Sequence, residues 1–207
     1  MNMNKITIFA IFCLLAGSVS AQLRMRDVFA QLPDSVLPLM TKNNRLDCID
    51  FIENDMEARV KNLFDDKVVL DSLTDDFLSL STSEGSYVEM KLFAEGADSF
   101  ICVNRTYLGQ AADSEVKIYD LSWNFVRRVA RPDVREFLKT SESIDSWTPE
   151  MADTLRVIRA EAEFLPLIKA SLSSNTRQIT WVLQKDEFSR NIKKVADKYL
   201  QPVVCDL

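Results

Sequence analysis

Thirty-one carboxylates and no histidine set the chemistry open to this chain. Without imidazole, a Ser-His-Asp or Cys-His nucleophile, an HExxH zinc site and a His-ligated haem are all excluded. Acid/base work then falls to carboxylates, and the densest group is Asp65, Asp66, Asp71, Asp75 and Asp76. A glycosidase needs two such carboxyls facing each other across a sugar, one of them with a raised pKa. Closeness in sequence does not supply that geometry, because Asp75 and Asp76 point to opposite faces of an extended chain. A solvated loop, with Thr74 or Asp75 capping a turn, is the ordinary alternative. Calcium is the other chemistry for the same residues. The stretch has no glycine, however, and lacks the alternating Asp/Asn ladder of an EF-hand loop. On these residues no catalytic, cofactor-binding or metal-ligating side chain is assigned and no cofactor is expected.

Three tryptophans, Trp123, Trp147 and Trp181, could form a platform for a sugar or peptide. Trp123 and Trp181 lie in strand-like runs, where a core role is the default. Trp147 sits in a polar stretch, where an exposed indole would be informative. Asp34-Ser35-Val36, Asp71-Ser72-Leu73 and Asp153-Thr154-Leu155 match a short Asp-Ser/Thr-apolar pattern of bacterial O-glycosylation, so Ser35, Ser72 and Thr154 are candidate acceptors. Asn104-Arg105-Thr106 matches the eukaryotic N-glycosylation pattern but falls in mid-strand.

Residues 1–21 carry the marks of a secretory signal. Lys5 supplies the positive n-region, Ile6 to Ala16 an apolar run, and Val19-Ser20-Ala21 a small-residue cleavage site, which leaves Gln22 as the new terminus. The apolar run is too short for a spanning helix, so the expected location is the periplasm or the outside, without a membrane span. Cys13 goes with the signal. Cys48, Cys102 and Cys205 remain, as three free thiols or as one disulfide and one thiol, the pair undecided by sequence. Cys102 has no histidine to activate it, and Arg105 falls on the other face of its strand. A net charge of -6 offers no cationic footprint for nucleic acid.

The elements that must position these residues are read from periodicity. Ile49, Ile52, Met56 and Val60 recur at helical spacing and predict a helix over 44–60, widened by Leu46, Cys48 and Phe51, with Asp47, Asp50, Asn54 and Glu57 opposite. On this reading Ile52 is fully buried at the centre of the stripe. From Val68 to Val129 the period becomes two, as in Val88, Met90 and Leu92, and four or five strands joined by short turns predict an antiparallel meander. Residues 139–147 are the best linker candidate. Thr148-Pro149-Glu150 starts a helix with Met151, Leu155, Ile158 and Ala162 on one face. A second hairpin over 164–184 is expected to add to the same sheet, followed by a last helix from Asp186. The prediction is one α+β domain over residues 22–207, an antiparallel meander with helices packed mainly on one face.

Several strings resemble an uncharacterised family of exported Bacteroidales proteins known only as a domain of unknown function. They are Leu32 to Pro38, Thr41 to Asp47, Leu73 to Leu78, Val88 to Leu92 and Ile118 to Trp123. They cover much of the first 125 residues, and the second half is similar only in layout. The resemblance implies a diderm bacterial source and the periplasm, and no residue roles. Two functions remain: a non-catalytic envelope module that binds a protein, peptide or glycan through an exposed sheet face, or a carboxylate-dependent hydrolase of envelope glycans. The missing histidine, glycine-rich loops and metal-ligand spacing favour the first.

Overall fold

The computed structural model describes residues 23–140 and 147–207. The proposed signal and most of the proposed linker lie outside the described residues. After α1 (Met25–Ala30) and α2 (Lys42–Glu53), seven strands follow: β1 (Arg59–Lys61), β2 (Lys67–Leu73), β3 (Phe77–Ser83), β4 (Ser86–Glu95), β5 (Asp98–Leu108), β6 (Ala112–Asp120) and β7 (Phe125–Arg128). Their spatial order is their chain order and every pairing is antiparallel. Then come α3 (Pro149–Phe164), β8 (Ile168–Leu172), β9 (Gln178–Leu183), α4 (Arg190–Lys193) and β10 (Val203–Asp206). The class is α+β, built on an antiparallel meander. No described helix is long and apolar enough to cross a membrane.

The meander has more strands than the four or five expected, because β1 begins at Arg59, where the sequence predicts the end of a helix, and β2 occupies part of what reads as an acidic loop. Val68 and Leu70 are buried on one side of β2, an alternation hidden by the aspartates around it. The period of two places Leu78, Leu80, Val88, Met90, Ile101 and Val103 in one core with α1 and α2. Phe77, Phe93, Cys102, Val116 and Ile118 join a second core with α3, β8 and β9.

The 164–184 hairpin does not extend the meander. β8, β9 and β10 form a separate sheet, in the order β10-β9-β8, laid over the second core. β8 is therefore an edge, and its outward backbone groups need partners. Side chains of the large sheet supply them. Asp113 accepts from Ile168 N (3.1 Å), Ser114 Oγ from Ala170 N (2.9 Å) and Glu89 Oε2 from Leu172 N (2.9 Å). Asn104 Nδ2 donates to the Ala170 carbonyl (2.9 Å) and Lys91 Nζ to that of Ser174 (2.7 Å). A row of inward-facing polar residues thus takes the place of a neighbouring strand.

Helix α2 is shorter than its apolar spacing predicts. Thr41 caps it by accepting from Asn44 N (3.2 Å), and it ends at Glu53, with Asp55 in the left-handed region at φ 55°. Its buried residues are Arg45, Cys48 and Ile49. Ile52 is only partly buried against the core and Met56 is 50% exposed, so the buried stripe keeps nearly the expected face but sits about one turn earlier along the helix. Arg45, 2% exposed, is held by Asp34 Oδ1 (3.0 Å) and the Met40 carbonyl (2.7 Å). Ile49→Ala should therefore cost about 2 to 5 kcal/mol and Ile52→Ala only about 1 kcal/mol. Paired denaturant melts check this, and equal losses would contradict it.

Candidate functional site

The acidic cluster does not come together. Asp65 and Asp66 lie in the β1–β2 turn, where Asp65 pairs with Lys61 and Asp66 accepts from Lys67 N. Asp75 and Asp76 lie in the β2–β3 turn at the other end of β2, about 20 Å away for a strand of this length. Asp76 pairs with the buried Lys91 (2.8 Å). Asp71 accepts from Ser81 N (3.2 Å) and Oγ (2.8 Å) across the β2–β3 ladder. Among the described residues no group of three or more Cys, Asp or Glu is placed to hold a metal ion.

Cys48, Cys102 and Cys205 are free thiols. Burial pushes Cys48 up to about 12 and raises Cys102 further, so neither provides a thiolate nucleophile at neutral pH. Trp181 is fully buried and Trp147 packs partly against the same core. Trp123, expected in a strand, sits in the β6–β7 turn at φ 63°, its ring 5.8 Å from that of Tyr119. Asp120 fixes this turn by accepting from Ser122 N and Asn124 N. The three indoles do not form one platform. Of the candidate acceptor hydroxyls, Ser35 is exposed in a turn. Ser72 is half-buried in β2, and Thr154 donates to the Glu150 carbonyl (2.9 Å).

Glu89 is a carboxyl that sequence reasoning passed over and that the fold encloses. Its position between the two sheets raises its pKa, chiefly by desolvation, against the lowering effect of Leu172 N, Asn104 Nδ2 and Lys169. Both near donors belong to the seam, so its work is structural. A raised folded pKa means that ionisation opposes folding, so Glu89's contribution is full below the ordinary carboxylate range and declines as pH rises through the shifted value. Relative to Glu89→Gln, the wild type should lose stability over that window. A stability difference that does not change with pH in denaturant melts would place this carboxyl in water.

One exposed apolar surface lies on α3. Met151, Ile158 and Ala162 face the core, as their spacing predicts. Val157, Ala160 and Phe164 recur at i, i+3 and i+7 on a second face, and that face is open. Phe164 is 90% exposed, with Val157 and Leu165 also exposed beside it. The opposing wall is the segment after β9. Phe188 plugs it into the core, and Glu161 clamps it by accepting from Ser189 N (2.8 Å) and Oγ (2.7 Å). Between these walls runs a groove of about 710 Å³, bordered also by Arg156 and Glu187. Two other depressions, of about 420 and 350 Å³, are smaller. Both oxygens of Glu161 are engaged by Ser189, which leaves an apolar groove with charged margins.

A family model described as "Protein of unknown function (DUF3256)" matches residues 16–205. No curated protein matches the chain. Among solved structures, one described as a domain of an uncharacterized protein from Porphyromonas gingivalis W83 is similar, at 21% identity and a TM-score of 0.70, covering 88% of this chain and 94% of that one. At that identity the likeness is one of fold.

Proposed function

Because the chain belongs to the DUF3256 family of proteins of unknown function, whose description assigns no activity, we propose its role from geometry: an exported, non-catalytic module that binds another protein through the groove along α3. The observation that carries this reading is Phe164, a large apolar side chain left 90% exposed beside the groove. Single exposed apolar residues are ordinary, but contiguous ones rimmed by polar groups mark interaction sites. The expected sheet-face surface is not open in this way: α1 and α2 share a core with one face of the meander, and β8 and β9 share a core with the other. Export rests on the charge and apolar pattern of residues 1–21. Intact-mass measurement of protein made in its own host should find Gln22 first, and retention of Met1 would remove the envelope from the proposal. The binding role is tested by placing a photo-crosslinking residue at position 164 and, as a control, at the exposed Glu84 in the β3–β4 turn. Discrete protein adducts from 164 and none from 84 are expected; equal labelling from both would overturn the assignment.

A further inference from the structure

We infer that the occupant of the α3 groove is a short linear protein segment carrying an apolar side chain flanked by lysine or arginine, an inference that rests on reading the groove as a binding surface. Val157, Ala160, Phe164 and Leu165 provide the apolar component. The charged lining residues decide what must flank it. Arg156 pairs with Asp153 within its own helix, so its charge is matched. Among the described residues Glu161 accepts from neutral donors, the N–H and O–H of Ser189, and forms no ion pair. Glu187 has no hydrogen bond or ion pair among the described residues. The cations near the rim are largely taken: Arg159 by Glu163, Lys193 by Asp186 and Lys185 by Asp197. Arg190 follows Ser189 without an ion pair among the described residues but does not line the groove. Two uncompensated carboxylates thus border an apolar floor on a chain of net charge -6. Such a rim attracts a basic segment and repels an acidic one. The same sign disfavours anionic lipid and nucleic acid.

The test uses the mature chain and three labelled peptides that share a Phe-Leu core and differ only in Lys, Ser or Glu flanks, read by fluorescence anisotropy. The Lys-flanked peptide should bind at least about tenfold more tightly than the Glu-flanked one at ~0.15 M salt, and the gap should narrow at ~0.5 M. Glu187→Lys should narrow it as well, with an unchanged melt showing that the fold is intact. Equal binding of all three peptides, lost in Phe164→Asp, would overturn the charge preference and leave the groove standing. A preference for the Glu flanks would overturn it outright. No binding by any peptide up to ~1 mM would overturn both this inference and the reading on which it rests.

Discussion

Trp181→Ala should be among the most destabilising single substitutions in the chain, costing about 3 to 5 kcal/mol, enough to remove a large part of a typical domain's margin. Trp181 lies on β9, the central strand of the small sheet, opposite Ala170 on one side and Val203 on the other. It is fully buried in the core shared with the meander, so truncation opens a cavity where the two sheets meet. Its Nε1 makes no hydrogen bond among the described residues, so the indole acts through its packing. Trp181→Phe should accordingly cost much less, about 1 to 2 kcal/mol. Chemical denaturation of the three proteins checks the order. If Trp181→Phe proved as damaging as Trp181→Ala, a polar role for the indole would be indicated.

The second large effect is expected at the seam. Asn104 is fully buried and its Nδ2 donates both to Glu89 Oε2 (2.9 Å) and to the Ala170 carbonyl (2.9 Å). Asn104→Ala removes both bonds together and leaves a backbone acceptor and a carboxyl with fewer donors between the sheets. Unsatisfied buried groups cost about 1 to 3 kcal/mol each, so a loss of about 2 to 4 kcal/mol is expected. Because Asn104 is one of the groups that lowers the Glu89 pKa, its removal should shift that carboxyl further upward and steepen the loss of stability with rising pH. A cost under about 0.5 kcal/mol would mean that water already fills the seam.

The seam also shows where sequence reading succeeds and where it stops. Val88, Met90 and Leu92 alternate with polar residues, and that pattern alone places β4 in a half-buried sheet. The partners of the alternation, Glu89 and Lys91, read as solvent-facing; they lie inward because the edge of β8 needs donors and acceptors there. Asn104, in a mid-strand Asn-Arg-Thr match set aside as a glycosylation site, gives no local sign that it meets a second sheet. In α2 the apolar spacing continues past the physical end of the helix, and only the left-handed backbone at Asp55 shows where it stops. The groove left a faint signal. Val157, Ala160 and Phe164 form an apolar stripe beside the stronger Met151, Leu155, Ile158, Ala162 one, but Phe164 also fits the start of a following strand. Only the structure, which ends α3 at Phe164 and starts β8 at Ile168, separates the two.

If the α3 groove binds a partner, Phe164 packs against that partner and not within this chain's own core. The most direct check is the denaturant melt of Phe164→Asp in the chain from Gln22 onward. A ring exposed for binding predicts stability within about 0.5 kcal/mol of wild type. A loss of about 2 kcal/mol or more, in the range of a core truncation, would show that the ring packs within the fold and that the groove is closed in solution.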